Sequence, residues 1–488
     1  MKARNESAGR EITRARVGRS VSPARRAAFE ILRRVEEDAA YASVLLAAID
    51  ERMRQDDRAL CYELVLGVLR WQLWLDALIK HFADREAESL DAPIRRALRM
   101  GLYELRFLTR IPASATVNEA VNLAYLARLR SAAGFVNAVL RRATREIEFD
   151  PSTGIDDPLE RLSIATSHPA WLIERWVKSF GLEIAEEFAF SNNKPPPNAF
   201  RLSSGTANPG TANPGTANPG TANSGTANPG TAGVPARSPQ VLETLQSSGG
   251  LITPSKIVPG AFRIQGATAE VRDLSNQGLI YLQDEASQLV AHVLGAQPGE
   301  NVLDVCAAPG SKATHIANIE PQLVQVVAGD LYQHRLRTLL NTGIRLGAGR
   351  ISALAYDATT TLPFKEQSFD RVLVDAPCTG TGTLRRNPEI KWRITAEDIS
   401  NVANRQSRIL ANSAVVVNCG GKLVYSTCSV EVEENEDIVE GFLNGHPEFA
   451  PIPVEVNGLL KSIHGSVRTW PQRDGADGFF IAVFERRR

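Results

Sequence analysis

The chain has 488 residues, 43% of them hydrophobic, and its 55 Lys and Arg residues are balanced by 55 Asp and Glu residues. This length exceeds the ~250–300 residues at which a single core stops growing, so we expect two or three domains. The balanced charge excludes any argument from net charge for a nucleic-acid partner, and no apolar run approaches the ~18–20 residues of a membrane helix.

The five cysteines are odd in number and none is spaced as C-x-x-C, which indicates neither a disulfide framework nor a zinc site. No apolar leader segment follows the basic N-terminal residues. We therefore expect a cytoplasmic protein with no membrane span and no bound metal. Residues 1–26 carry eight basic and two acidic residues, and we interpret residues 1–21 as a disordered basic arm.

Residues 22–150 are predicted to form an all-α helical bundle. Ser22-Pro23 is typical of an N-cap followed by proline at the first helical position, and apolar residues then recur at helical spacing from Ala28 to Val35. The stretch from Thr116 to Glu119 has the pattern of a capping box before another helix. Nothing in the bundle indicates catalysis, so a folding or oligomerisation module is the simplest interpretation.

Residues 160–270 are predicted to form a small α+β linker domain. Helix patterns around 171–180 and 185–190 precede a strand at 199–202, and a short helix at 239–245 and a strand at 262–264 follow. Between them, the motif GTANP recurs over residues 205–234. Such Gly, Pro and Asn composition buries little apolar surface, so we interpret this tract as a disordered insertion.

Residues 275–488 alternate between strand and helix patterns, which predicts a doubly wound, Rossmann-like α/β domain. In such sheets, ligands bind beyond the carboxyl ends of the strands. The predicted strands are 301–305, 325–329, 351–355, 371–374, 422–426 and 479–484.

Residues suited to a cofactor follow the first three of these strands. Cys306 to Lys312 form a turn of mostly small residues, which lets a ligand approach the backbone closely. Asp330 ends the second strand, where it is placed to accept hydrogen bonds from ribose hydroxyls, and Asp357 follows the third. The turn lacks G-x-G-x-x-G, so a nucleoside-type cofactor is favoured over NAD. A nicotinamide-dependent oxidoreductase is the alternative enzyme class.

Two thiols and a carboxylate follow two further strands. A thiolate that adds to C6 of a cytosine makes C5 nucleophilic enough to accept a methyl group. Either Cys378 or Cys428 suits this role, and Asp375 suits the N3/N4 edge of the base. A cysteine near a strand is commonly a small buried hydrophobe, an interpretation that fits Cys306 and Cys419 better than this pair.

The segment 384–393 combines basic side chains with a tryptophan, a mixture suited to phosphates and to a displaced base. A solvated basic loop is the alternative interpretation. A target base must leave its stack to reach a thiol, which implies a loop or bulge in the RNA. The residues predicted to contact RNA here are Arg385, Arg386, Lys391 and Trp392.

Five motifs resemble those of RNA cytosine-5 methyltransferases: VLDVCAAPGSKATHI, DAPCTGTG, RRNPEIKW, YSTCS and DGFFIAVF. In the helical region, VNEAVNLAY and GFVNAVLRR resemble the NusB-type RNA-binding domain. With both regions, the chain is similar to the RsmB/Sun (Fmu) family of 16S ribosomal RNA methyltransferases over residues 22–488, apart from the repeats. The resemblance implies methylation of C5 of one cytosine in 16S ribosomal RNA, naked or in an early assembly intermediate, by a monomer.

The resemblance also assigns roles to single residues. It implies that Cys428 is the nucleophile and that Cys378 assists its release. Ser311 stands where the family more usually has a second glycine, and Thr379 replaces a commoner serine. The implied cofactor is S-adenosylmethionine, with contacts from Cys306, Ala307, Ala308, Pro309, Gly310, Ser311, Lys312, Asp330, Asp357 and Asp375.

Arg141, Arg142 and Arg145 close the last helix of the NusB-like region and are predicted to contact RNA phosphates. Cations in a last helical turn also favour the helix dipole without any ligand. An RNA-binding or antitermination factor with an inactive methyltransferase domain is the non-enzymatic alternative, and tRNA is the alternative substrate.

Overall fold

The computed structural model describes residues 20–49, 52–203, 238–456 and 463–487. Nearly all of the predicted basic arm at 1–21 and the GTANP repeats at 205–234 lie outside these residues. The chain divides into two compact units, Met1–Ser167 and His168–Arg488. None of the helices within the described ranges has both the length and the apolarity needed to cross a membrane.

The first unit is a helical bundle around one apolar core, which confirms the predicted fold class. Its first helix begins at Pro23, whose fixed φ suits the first helical position, and buries Ala28 and Leu32 on one face. The helices are α1 Pro23–Glu37, α2 Ala42–Ala47, α3 Gln55–Arg70, α4 Gln72–Ala83, α5 Ala92–Phe107, α6 Ala113–Leu126, α7 Ala133–Arg145 and α8 Pro158–Thr166. Helix α5 packs against α3, α4, α6 and α7, and so forms the centre of the bundle.

The predicted capping box at Thr116 is wrong. Helix α6 begins three residues earlier, at Ala113, so Thr116 lies inside the helix. Its hydroxyl donates to the buried carboxylate of Glu104 at 3.1 Å, and Arg25 lies 2.6 Å from the same oxygen. A buried carboxylate needs such donors. The hydrogen bond from Thr116 to Glu104 therefore takes the place of the predicted cap.

The second unit opens with two helices and a small antiparallel sheet in the order β2-β3-β1-β4. Phe200, Leu245, Ile264 and Ile280 form its apolar core. Its elements are α9 Ala170–Phe180, α10 Leu182–Asn192, β1 Asn198–Leu202, α11 Ser238–Ser247, β2 Leu251–Pro254, β3 Ala261–Gln265, α12 Thr268–Asn276 and β4 Ile280–Leu282.

An eight-stranded sheet follows, in the order β10-β12-β9-β8-β5-β6-β7, with β11 paired to β12. Strands β5 to β9 are parallel, whereas β12 pairs antiparallel with both β9 and β10. The elements are α13 Glu285–Leu294, β5 Asn301–Asp304, α14 Ser311–Ile319, β6 Gln325–Asp330, α15 Gln333–Arg345, β7 Ile351–Ala355, β8 Phe369–Asp375, α16 Ile390–Arg393, α17 Ala396–Ala414, β9 Val417–Thr427, α18 Glu436–Gly445, β10 Phe449–Ile452, β11 Val467–Arg468, α19 Pro471–Asp474 and β12 Phe480–Arg486.

This sheet confirms the predicted doubly wound class. The chain runs outward from β5 through β6 to β7, then returns to place β8 on the other side of β5. The order therefore reverses between β5 and β8, which is the position where open α/β sheets bind ligands. The sequence did not predict the short strands β10 and β11.

Candidate active site

Two thiols meet beyond the ends of neighbouring parallel strands. Strand β8 ends at Asp375, which pairs in register with Ser426 of β9, so the residues that follow both strands emerge side by side. The Sγ atoms of Cys378 and Cys428 lie 3.2 Å apart. The structure thus brings together the two cysteines that the sequence predicted at one pocket.

The environment of Cys378 favours its neutral thiol. Its hydrogen bond with Cys428 and its burial raise the pKa of Cys378 well above the ordinary value. A neutral thiol beside a second sulfur is able to exchange a proton with a reacting group. Within the described ranges, no three or more His, Cys, Asp or Glu side chains group so as to hold a metal ion.

Asp375 is held from two sides at the strand end. Lys312, on the first turn of α14, places Nζ 2.7 Å from Oδ2, and the hydroxyl of Ser426 donates to Oδ1 at 2.9 Å. Burial lowers the pKa of Lys312, but the charge of Asp375 and its hydrogen bond outweigh burial and raise this pKa overall. Lys312 therefore stays cationic, and its charge lies beside the sheet's switch point.

A cavity of about 310 Å³ opens next to the thiols. Its volume lies in the range of small-molecule sites. Acidic and apolar groups share the lining, as a nucleoside with a polar sugar and an apolar base requires. Among the predicted site residues, those that line it are Cys306, Ala308, Asp330, Asp357, Asp375, Cys378 and Cys428.

Asp330 is buried at the floor of this cavity. It accepts a hydrogen bond from the backbone N–H of Tyr332 at 2.9 Å, and Arg335 approaches to 3.2 Å. Arg335 also donates to the carbonyl of Ala308 at 2.8 Å, so it ties the turn after β5 to the end of β6. The exposed Asp357 accepts from its own turn at Thr359, which lowers its pKa.

Close packing in the turn after β5 explains why its residues are small. Gly310 has φ +108°, and a Cβ there would lie 2.7 Å from Cγ of Leu339, so only glycine fits. Burial raises the pKa of Cys306, which makes its thiol unreactive. The remaining predicted turn residues shape this loop but do not line the cavity: Ala307, Pro309, Gly310, Ser311 and Lys312.

Several residues of this site were missed by sequence reasoning, three of them charged or polar groups at its strand ends. Tyr332 and Arg335 line the cavity at the start of α15, and their place directly after the Asp330 strand was an available signal. Asp304 ends β5 and is fully buried. Burial, and then the charge of Asp375, raise the pKa of Asp304 to about 8, so its carboxyl group is largely protonated near neutrality.

Two arginines of the segment 384–393 are paired with carboxylates of the protein itself. Arg385 is 4% exposed and donates to Asp477 at 3.0 Å. Arg386 donates to Asp477 and to Asp284, both at 2.7 Å. These ion pairs tie the loop after Cys378 to the start of α13 and to the C-terminal segment.

Lys391 is also enclosed, with an exposed fraction of 2% and its Nζ 5.0 Å from the ring centre of the half-buried Trp392. RNA contacts of Arg385, Arg386 and Lys391 stay a prediction, although Arg385 and Lys391 are buried and the 29% exposed side chain of Arg386 is bound to two carboxylates of the protein. Basic composition alone did not distinguish inward from outward charges.

In the first unit, a groove of about 560 Å³ runs between α6 and α7. The exposed Arg141 and Arg145 lie on one side of it, and Asn118, on α6, lies opposite. Arg142 does not line the groove. Instead it pairs with Asp84 at 3.1 Å, so of the three arginines predicted here, Arg141 and Arg145 face the groove and Arg142 does not.

Comparisons with known proteins agree with this architecture. Residues 291–485 match the family model "16S rRNA methyltransferase RsmB/F", and residues 22–145 match the NusB family. The "Probable ribosomal RNA small subunit methyltransferase B" of Bacillus subtilis is 31% identical, over 94% of this chain and 98% of that protein. Ribosomal RNA small subunit methyltransferase B of Pseudomonas putida is 33% identical, over 90% and 91% respectively.

A solved structure resembles nearly the whole chain. The crystal structure of PH0851 superposes with a TM-score of 0.75 at 28% sequence identity, and the match covers 96% of this chain and 99% of that one. With a NusB region, a methyltransferase sheet and relatives matched along almost their full length, the chain belongs to the ribosomal RNA small subunit methyltransferase B family.

Proposed function

We propose that this protein transfers the methyl group of S-adenosylmethionine to C5 of one cytosine in small-subunit ribosomal RNA, in the cytoplasm, through a covalent adduct. The observation that carries the proposal is the 3.2 Å approach of the Cys378 and Cys428 sulfurs beside a nucleoside-sized cavity. The names of the relatives support the substrate class.

In the first step, the thiolate of Cys428 attacks C6 of the cytosine and forms a C–S bond. The electron pair of the C5–C6 double bond moves through C4 toward N3, which takes up a proton from water. Asp375 lies beside both thiols, where its carboxylate accepts from N–H groups of the N3/N4 edge. The adduct makes C5 enamine-like, and C5 then takes the methyl group that S-adenosylmethionine supplies when bound.

In the second step, the thiolate form of Cys378 removes the proton from C5, the C–S bond to Cys428 breaks, and N3 gives up its proton as the aromatic ring is restored. The largest cause of the raised pKa of Cys378 is its hydrogen bond with Cys428. That hydrogen bond is lost once Cys428 is bonded to C6. Loss of this bond removes the largest cause of the raised pKa, so more of Cys378 is thiolate at the stage that needs a base.

The cavity residues fit the methyl donor. Asp330 is buried at the floor, where its carboxylate suits ribose hydroxyls, and Asp357 lies at the rim. Side chains such as Leu331 and Ile409 supply the apolar walls that a purine needs. The turn at Gly310 keeps the backbone close to the ligand.

The groove of the first unit suits single-stranded RNA. Arg141 and Arg145 offer two cations for phosphates, and Asn118 offers hydrogen bonds to a base edge. A base that reacts at C5 and C6 must leave its stack, so we expect the target cytosine in a loop or an unpaired strand.

Bisulfite sequencing of small-subunit ribosomal RNA from a deletion strain tests the proposal, because 5-methylcytosine resists deamination. We expect one cytosine to lose its protection and to regain it when the wild-type gene is restored. Restoration with Cys428→Ala should leave the site unprotected. An unchanged pattern of protected cytosines in the deletion strain would reject the proposed substrate.

A further inference from the structure

We infer that Glu434 is a positioning residue. Through hydrogen bonds to residues next to Cys378 and Cys428, it maintains the distance between the two Sγ atoms. The inference rests on the proposed roles of Cys378 and Cys428. Glu434 follows β9 on a short 3-10 helix, Val432–Glu434, and its side chain is fully buried. Among the hydrogen bonds of the described residues, none joins it to a sulfur, so its positioning role acts through its neighbours, while its charge adds to the raised pKa of Cys378.

One carboxylate joins the two loops that carry the thiols. The backbone N–H of Thr379, next to Cys378, donates to Oε2 of Glu434 at 2.9 Å, and the Thr379 hydroxyl donates to Oε1. The hydroxyl of Ser429, next to Cys428, donates to the same Oε1 at 2.6 Å. Glu434 thus accepts from both residues that follow the two cysteines, whose hydroxyls also lie 3.2 Å from each other.

Residues before each cysteine are held by the same group of side chains. Gln406, from α17, donates to Oε2 of Glu434 at 2.9 Å and to the carbonyl of Pro377 at 3.0 Å. Thr427 donates to the side chain of Asn435 at 2.6 Å, and Asn435 donates to the carbonyl of Ser429 at 2.9 Å. Both cysteines are therefore bracketed on each side.

Burying the carboxylate of Glu434 costs free energy, and an apolar side chain would fill the same space without that cost. Burial raises the pKa of Glu434, while the hydrogen bonds from Ser429, Thr379 and Gln406 oppose this shift and favour the carboxylate. A buried carboxylate is tolerated only when it is fully hydrogen-bonded. Here its donors come from three separate segments that meet at the thiols, which is the arrangement that fixes a distance between loops.

The consequence concerns the geometry of the reaction. Two sulfurs must serve the same base, one at C6 and one at the C5 proton, so their separation has to be maintained through the cycle. A displacement of about 1 Å at a reacting group lowers rates by roughly 100-fold. Without Glu434, the loops after β8 and β9 keep the hydrogen bonds that join Gly382 to Cys428 and Val430 to Thr381. The residues next to the two sulfurs, however, lose their common acceptor, and the distance between the thiols is less firmly fixed.

A direct test measures the distance between the thiols without RNA. Diamide oxidises two neighbouring thiols to one disulfide and takes up their two electrons and two protons as it becomes a hydrazine. Peptide mapping then follows formation of the Cys378–Cys428 disulfide over time in wild type, Glu434→Gln and Glu434→Ala. Glu431→Gln is the matched control, because Glu431 is equally buried in the same loop but its side chain binds Arg175 and Trp176.

We expect Glu434→Ala to slow this disulfide about tenfold or more and to lower kcat for methyl transfer by a similar factor. The Kd for S-adenosylmethionine should stay within about twofold of the control. Glu434→Gln should recover part of both rates, because one amide oxygen still accepts from Thr379 and Gln406. If Glu434→Ala does not fold, the double variant Thr379→Val with Ser429→Ala removes two donors and leaves Glu434 in place.

If the Glu434 variants form the disulfide as fast as Glu431→Gln and have the same kcat, the inference is overturned. A slowed disulfide in the variants, combined with a wild-type protein that methylates no cytosine, would support the positioning role and reject the proposed function instead. The two failures are therefore distinguishable.

Discussion

Lys312 and Asp375 form an ion pair, with 2.7 Å between Nζ and Oδ2, that links the first turn of α14 to the end of β8. Lys312 is buried, whereas the side chain of Asp375 is 26% exposed. The pair therefore crosses the switch point of the sheet, between the proposed cofactor loop and the strand that leads to Cys378. Its strength and its role in the reaction can be measured separately.

Lys312→Met should lower the free energy of unfolding by about 2 kcal/mol, less than the ~3–5 kcal/mol of a fully buried pair, because water still reaches Asp375. It should also lower methyl transfer at least tenfold. Arg371→Met is the matched control, since Arg371 pairs with Glu300 at 2.8 Å with similar burial near the other end of β8. Urea unfolding and turnover check both effects, and an equal loss of turnover in the two variants would contradict a role in the reaction.

The two thiols should give opposite results when each is removed. Cys428→Ala should bind S-adenosylmethionine but form no covalent RNA complex and transfer no methyl group. Cys378→Ala should transfer the methyl group and then stall, so a denaturation-resistant protein–RNA complex accumulates. Denaturing gel electrophoresis with substrate RNA tests this, with Cys419→Ala as the control. An adduct in Cys428→Ala alone would reverse the roles, and methyl transfer by Cys428→Ala without an adduct in either variant would reject the covalent mechanism.

Asp304 should make stability depend on pH. Its folded pKa of about 8 lies far above the ordinary value of 3.8 because of burial and then the charge of Asp375. Between about pH 4 and 8 the unfolded state loses this proton and the folded state retains it, so folding becomes less favourable as pH rises. Asp304→Asn removes this titration. The melting temperature of Asp304→Asn minus that of wild type should increase from pH 5 to pH 8, and a constant difference would contradict the assignment.

The groove of the first unit should contribute to RNA affinity and not to chemistry. Arg141→Glu with Arg145→Glu replaces two cations that line the groove. We expect KM for RNA to rise about tenfold, kcat to stay within about twofold, and the salt dependence of binding to become shallower by about two phosphate contacts. Arg110→Glu, at another exposed arginine, is the control. Unchanged KM and salt slope would exclude this groove as an RNA site.

Excision of residues 205–234 should leave methyl transfer intact. Residues 205–234 contain Gly, Thr, Asn, Pro, Ala, one Ser and a single Val, so little apolar burial is lost. Loop closure changes by only ~0.6 kcal/mol per doubling of length. The strand before the excision ends at Leu202 and the helix after it begins at Ser238, so both remain complete. A several-fold loss of turnover would show that the repeats bind RNA or act as a spacer.

The sequence by itself determined the fold class and the chemistry-bearing strand ends. Apolar runs such as Val372 to Val374 are buried central strands, and their carboxyl ends share one edge whatever the details of packing. The cysteines follow such runs, so their convergence was predictable from topology. The glycine at 310 was predictable for a local reason, because a tight turn after β5 needs positive φ.

Tertiary structure alone decided which charged side chains face inward. The arginines at 385 and 386 appear as a basic RNA-contacting loop in the sequence, yet Asp284 and Asp477, distant in the chain, pair with them. Thr116 fits a local capping pattern, yet it serves a buried carboxylate on another helix. The hydrogen bonds of Glu434 to Thr379 and Ser429 likewise join residues that no local pattern connects. Local patterns record the preferences of the backbone and the apolar faces, whereas partners of buried charges are set by long-range packing, which a single sequence does not encode in any short motif.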